Sequence, residues 1–329
     1  MKRFLSCLCA AILLTGLAAC ASPTQGGGER PVMNVAALKG PTAMGMAGLM
    51  QEAEENRSAA DYVFTVSGAV DEIAPLLMQG KADVAAVPAN LASVLYANTG
   101  GQVAVLAVNT LGVLYMVEQG DAVRQISDLE GKTVYLSGKG ATPEYSLLYL
   151  LEQNGLSVDD LALEFKSEHA EVVAALMNDP DAVGLLPEPF ITTAQQQNED
   201  LRVCLDLTEE WEKTGDDSAM LTGVVVARRA YLEENPDAVA AFLEEYAAST
   251  ALVNGDIPRG AELIEKFGIF PASVAEKAIP ACHIVCITGD EMKALLGGYL
   301  RVLYDQNPES VGGSLPDEAF YYARETAAP

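Results

Sequence analysis

Three observations predict an α/β fold of two similar lobes, each a mostly parallel sheet flanked by helices, the two joined by two hinge crossings. First, Val32–Leu49 (VMNVAALKGPTAMGMAGL) returns in altered form as Thr133–Leu151 (TVYLSGKGATPEYSLLYLL). Both read as a short buried strand, a tight turn of Gly, Lys, Pro and Thr, then a helix. Second, the spacing repeats: Thr42 to Pro88 is 46 positions, Thr142 to Pro187 is 45, and Ser67 precedes Ser167 by 100. Third, Ala82–Asn90 and Asp181–Phe190 are each an apolar strand that ends on a proline and enters a helix.

Val32–Leu38 is the first strand, and Lys39-Gly40-Pro41-Thr42 turns it into a helix that Thr42 can cap. Tyr62–Val66 alternates aromatic and β-branched residues and reads as the second strand; Ser67-Gly68 leads into a helix over Asp71–Gln79. Ala82–Val87 is almost wholly apolar, as a strand covered on both faces should be, and Pro88-Ala89-Asn90 opens the helix Leu91–Tyr96. Gln102–Val108 and Leu111–Val117 form one long run interrupted by Asn109-Thr110, where the first hinge is placed.

The second lobe repeats this order: strand Thr133–Leu136, turn Ser137–Thr142, helix Pro143–Asn154, strand Leu163–Lys166, helix Glu168–Met177, strand Val183–Leu186, helix Pro189–Gln197, strand Leu201–Leu207. Leu221–Ala227 returns to the first lobe through a second hinge near Ser218–Leu221. From Arg228 the chain reads as helical to its end, with a strongly amphipathic Asp237–Val253 and later helices over Ala261–Phe267, Pro271–Ala278, Glu291–Leu303 and Pro316–Thr326. Residues 32–109 with 222–329 then form lobe I, and residues 110–221 form lobe II.

The N-terminus reads as an export signal over residues 1–19, with basic Lys2 and Arg3 and an apolar Phe4–Leu17 too short for a membrane span. Residues 20–31 contain a Gly/Ser/Pro/Gln-rich flexible tether. Loss of Lys2 and Arg3 takes the net charge from −26 to −28, which opposes nucleic-acid binding and marks an exported, soluble domain. Cys204, Cys282 and Cys286 remain; an exported address permits a Cys282–Cys286 disulfide, and two cysteines with His283 fall short of a four-ligand zinc site. Ser-His-Asp and glycine-rich nucleotide signatures are absent from the sequence, which argues against an enzyme.

In order along the chain, Leu17-Ala18-Ala19-Cys20, Lys39–Thr42, Asp83–Asn90, Asp128–Lys132, Ser137–Tyr145 and Asp181–Phe190 resemble the solute-binding lipoproteins of ABC transporters. The resemblance is to the branch that includes aliphatic sulfonate, taurine, nitrate and thiamine-pyrimidine binders, and it covers essentially the whole mature chain. It implies a periplasmic-binding-protein fold of type II and a lipid on the Cys20 thiol that holds the protein to the outer face of a bacterial membrane. It also implies capture of a small solute by lobe closure and delivery to permease subunits. No cofactor or metal is expected, and the chain is expected to act as a monomer. Catalytic proteins of this fold, pyrimidine synthases that use histidine and iron, would need a histidine and cysteine cluster in the cleft, where the sequence offers His169 alone. A sensory ligand-binder is the remaining alternative.

In open α/β sheets ligands bind beyond the carboxyl ends of the strands. That rule nominates Lys39, Gly40, Thr42, Ser67, Asn90, Asn109, Ser137, Gly140, Ala141, Thr142, Tyr145, Glu188 and Phe190 as ligand-binding. Helix N-termini suit anions, but these segments contain no arginine and do contain Glu144, Glu188, Tyr145 and Phe190. That mixture favours a neutral or cationic heterocycle, with an alkanesulfonate as the alternative. Asn109 stands out because it interrupts an apolar strand, whereas His169 reads as surface.

Overall fold

The computed structural model describes residues 30–323, so the export signal, Cys20 and most of the tether lie outside the described residues. Apolar runs become two mixed sheets. The first begins with β1 (Val32–Leu38), which the Gly40 turn leads into the single-turn helix α1 (Pro41–Met44) and then α2 (Ala47–Glu54). It continues through β2 (Asp61–Ser67), α3 (Val70–Met78), β3 (Val84–Pro88), α4 (Ala89–Asn98) and β4 (Val103–Leu111). The chain then enters the second sheet as β5 (Leu114–Gln119). There it forms β6 (Thr133–Ser137), α5 (Thr142–Gln153), β7 (Ala162–Lys166), α6 (His169–Asn178), β8 (Val183–Pro187), α7 (Phe190–Gln197), β9 (Leu201–Asp206) and α8 (Leu207–Glu212). It returns to the first sheet as β10 (Leu221–Arg228).

With β11 (Ile284–Ile287) at one edge, the spatial orders are β11-β4-β10-β3-β1-β2 and β7-β6-β8-β5-β9. Within them β2-β1-β3 and β7-β6-β8 are parallel and match position for position. Beside each trio lies an antiparallel strand that has crossed from the other lobe, β10 on β3 and β5 on β8. The sheets are therefore mixed and not mostly parallel, because each crossing strand enters head-on. The interior strands β3 and β8 are buried at every residue, which accounts for their unbroken apolar sequence.

After β10 come α9 (Arg229–Glu234), α10 (Pro236–Gly255), α11 (Ile257–Lys266), α12 (Ala272–Ala278), β11 (Ile284–Ile287) and α13 (Gly289–Gln306). The C-terminal stretch is thus not purely helical. Ile284–Ile287 pairs with β4 at the sheet edge, and the expected helix over Pro316–Thr326 is a 3-10 turn at Glu318–Phe320, beyond which Tyr321 bridges to Val105. The amphipathic α10 buries Val239, Phe242, Tyr246 and Val253. It lies close on α2 because Gly48 faces it: a Cβ there would sit 3.1 Å from Ser249 Cα. Ser249 Oγ uses that proximity, accepting from Leu49 N at 3.0 Å and donating to Gly45 O at 2.6 Å.

Both faces of the molecule carry core packing that runs from one lobe into the other. On one face Phe190 of α7 meets Phe270, which precedes α12, edge-on at 5.1 Å. On the other, Tyr149, Trp211 and Tyr299 join α5, α8 and α13 with centroids 4.4 and 5.5 Å apart. Trp211, within a polar stretch of sequence, is fully buried and donates its indole N–H to Ser218 Oγ at 3.0 Å. Cys204, Cys282 and Cys286 are free thiols.

Candidate functional site

The carboxyl ends of β1, β3, β6 and β8 point at one another across a cavity of about 50 Å³. A single buried water needs about 10–15 Å³ on the same measure, so the space suits a small headgroup. Its lining comes from both lobes: Leu38, Lys39, Gly40, Pro41, Thr42, Val70, Pro88, Thr110 and Thr222 on one side, and Gly138, Thr142, Pro143, His169 and Pro187 on the other, with Val113 at the crossing. Two wider grooves, each about 440 Å³, lie beside Asp216 and Asp305, but side chains of α13 and carboxylates wall them and no strand end opens into them.

Each turn is built by residues the sequence marks. Gly40 has φ 145°, a conformation side chains avoid, and this brings β1 directly into α1. Thr42 is not a cap: its hydroxyl donates back to Leu38 O at 2.5 Å. In the other lobe Gly138 turns with φ 77°, Ala141 N donates to Gly138 O at 3.0 Å, and α5 starts at Thr142 with Pro143 behind it. The first N–H groups of α5 have no intrahelical acceptor and form a positive end.

Of the thirteen nominated residues, Lys39, Gly40, Thr42 and Thr142 line the cavity. Lys39 Nζ stands 5.3 Å over the Phe270 ring, while Lys139 is drawn 5.4 Å over Phe165. Ser67 supports the first turn through its carbonyl, which accepts from Lys39 N at 2.8 Å. Ser137 Oγ lies 2.7 Å from His169 Nδ1. Asn90 spans the lobes and is described below; Gly140 and Ala141 form the second turn.

The remaining four, like Ser67, Asn90, Ser137, Gly140 and Ala141, are not among the cavity-lining residues. Asn109 is fully buried at an irregularity of the β4–β10 ladder, where it has no partner residue; its Oδ1 accepts from Thr110 Oγ1 at 3.3 Å, and Thr110 is the one of the two that lines the cavity. Tyr145 packs half-buried against the Trp211 side of the core. Phe190 is core between His169 and Phe270. Glu188 folds back on its own helix, accepting from Thr192 N and Oγ1, both at 3.1 Å; burial raises its pKa. Glu144 accepts from Gly140 N at 2.5 Å.

His169 corrects the sequence reading: it lines the cavity at the start of α6, and burial pushes its pKa down to about 4, so the imidazole is neutral. Thr222 was overlooked. Its Oγ1 is buried without a hydrogen-bond partner and its side chain borders the cavity. The available signal was a threonine inside the apolar return strand, the same signal that drew attention to Asn109-Thr110. Among the described residues no trio of His, Cys, Asp or Glu is placed to hold a metal ion, and no helix is long and apolar enough to cross a membrane.

Two α/β lobes of matching topology, with helix starts and hydroxyls converging on a small cavity between them, have the architecture of a two-lobed solute-binding protein. Residues 55–277 match the family described as ABC transporter, phosphonate, periplasmic substrate-binding protein, and the chain belongs to that family. No curated protein matches the chain. Among solved structures it resembles an ABC transporter protein from Parabacteroides distasonis (25% identity, TM-score 0.72, covering 89% of this chain and 99% of that one). It also resembles the periplasmic aliphatic sulphonate-binding protein SsuA from Escherichia coli (18%, 0.72, 91% and 94%). A third is the alkanesulfonate-binding protein SsuA from Xanthomonas axonopodis pv. citri, bound to MOPS (15%, 0.69, 88% and 96%). The chain is thus a substrate-binding protein of an ABC transporter and not an enzyme.

Proposed function

We propose that the cavity takes the anionic headgroup of a small sulfonate- or phosphonate-type solute, and that the protein delivers the solute to an ABC permease. The observation that carries this reading is the cavity lining: Lys39, the unpaired Thr222 Oγ1, neutral His169 and the start of α5 converge there, with no carboxylate among them. Glu144, Glu188, Tyr145 and Phe190, on which a heterocycle would rely, are not among the cavity-lining residues, which favours the anion over that alternative. The family description and the sulfonate-binding neighbours favour the same anionic class. Isothermal titration of the purified chain with methylphosphonate and methanesulfonate tests it. Binding of either supports the reading; tight binding of thiamine precursors with silence from both anions overturns it.

The lobes, expected as 32–109 with 222–329 and 110–221, are proposed to close about crossings at Leu111–Leu114 and Ser218–Leu221, the first lying just past the expected Asn109-Thr110 because β4 of the first sheet runs on to Leu111. Cys20 is proposed to carry the lipid anchor. Replacing Cys20 with serine should move the protein from the membrane to the soluble fraction, and retention in the membrane would refute the anchor.

A further inference from the structure

At both ends of the cavity a threonine hydroxyl has already committed its hydrogen. Thr42 Oγ1 donates to the Leu38 carbonyl at 2.5 Å. Thr142 Oγ1 donates to Asn90 Oδ1 at 3.3 Å. The second direction is fixed by the amide itself. Asn90, fully buried at the start of α4, donates through Nδ2 to two carbonyls, Gly140 O at 3.1 Å and Ser310 O at 3.0 Å. Only the oxygen is left for Thr142, and an amide oxygen accepts. A hydroxyl whose hydrogen is taken can offer a ligand only lone pairs.

We infer that Asn90, which does not itself line the cavity, is a specificity-determining residue: by holding the Thr142 hydrogen it makes the site read whether the headgroup carries a proton. A singly protonated phosphonate has an O–H to donate to Thr142 or Thr42, while its other oxygens face Lys39, Thr222 and the start of α5. A sulfonate or a phosphonate dianion meets the same threonines with lone pair against lone pair. The inference rests on the anionic-headgroup reading.

The charged and titratable groups around the headgroup are few. Lys39 and His169 line the cavity; Glu144 on α5, Glu168 at the start of α6 and Glu188 before α7 stand outside the lining. With His169 held neutral down to about pH 4, the headgroup is the group that changes protonation in the neutral range.

The test is isothermal titration of the purified full chain with methylphosphonate and with methanesulfonate, from about pH 6 to about pH 8.5, around the neutral range where such second ionisations fall. The ³¹P shift of free methylphosphonate in the same buffers gives its protonated fraction. Methylphosphonate should bind about tenfold tighter than methanesulfonate at the lower pH, the equivalent of one hydrogen bond. Its affinity should fall with the protonated fraction, and the methanesulfonate affinity should stay level. Asn90→Ala, which releases the Thr142 hydrogen, should narrow the ratio between the two ligands several-fold. Thr42→Val, at the other end, should narrow it if the first variant does not fold. Equal or tighter methanesulfonate binding with level pH profiles for both would overturn the inference and leave the anionic-headgroup reading standing. Binding of neither ligand at millimolar concentration would overturn both.

Discussion

Two titratable side chains at the cleft pull stability in opposite directions with pH. The folded protein holds His169 neutral down to about pH 4, whereas the unfolded chain takes up that proton below about 6.5. Its contribution is therefore present above pH 6.5 and is lost as pH falls toward 4. Glu188 has a raised pKa, so its contribution is present below the ordinary carboxylate value of 4.5 and is lost as pH rises through the folded value. Urea midpoints at pH 7 and pH 4.5 should fall less for His169→Gln than for the parent, and fall more for Glu188→Gln; identical slopes in all three would contradict the assignment. Thr222→Val removes a buried oxygen without a partner, so stability should hold or rise while methylphosphonate affinity drops about tenfold, as for a hydrogen bond to a charged group. An unchanged affinity would remove Thr222 from the site. Sequence placed polar residues at the right strand ends but not their directions. Asn109 falls at an irregularity of the ladder with β10 that no sequence pattern marks, so its neighbour Thr110 is the one that lines the cavity, and Glu188, rightly set at a helix start, spends its carboxylate on Thr192.

At the scale of elements, the crossing between β4 and β5 depends on a missing side chain. A Cβ on Gly112 would collide with Thr208 Oγ1 and lie 3.0 Å from Met220 Cε, so α8 and the return to β10 both press on this residue. Gly112→Ala should cost about 1–3 kcal/mol, the range for overpacking. Gly112→Ala with Thr208→Ala should recover part of that loss, since Thr208 Oγ1 has no partner of its own to lose. Additive losses in thermal melts of the double variant would show that the clash is relieved in another way. The parallel trios were legible because buried strands are unbroken apolar runs and their turns carry Gly and Pro at matching spacing. β11 was not, since four residues on a sheet edge between helices carry too short a pattern, and only its ladder with β4 defines it. Trp211 shows the same limit: its neighbours Glu209, Glu210 and Glu212 read as surface, while the ring fills the space between Tyr149 and Tyr299.

Across the whole molecule, the contacts between the lobes lie on two flanks with the cavity between them. On one, Asn90 holds Gly140 and Thr142, and Ser146 Oγ meets Tyr299 OH at 3.1 Å. On the other, Phe190 packs on Phe270, and the Glu168 carboxylate lies where a Cβ on Gly68 would be, within 2.8 Å. Only two short segments carry the chain between the sheets before and after lobe II, so the proposed opening of the lobes would leave each sheet's own ladder in place. Thr142 is fully buried in the first flank, 3.3 Å from Asn90. An indole there cannot fit while the flank is shut, yet each lobe keeps its own sheet and helices if the lobes swing apart. Thr142→Trp should therefore melt cooperatively with unchanged far-UV circular dichroism, show a larger radius of gyration by small-angle scattering, and gain no thermal stability from methylphosphonate. The parent protein should gain about 2.7 kcal/mol at a hundred times the dissociation constant. A compact Thr142→Trp variant that still binds would mean that the lobes form one rigid body and that the ligand enters without their separation.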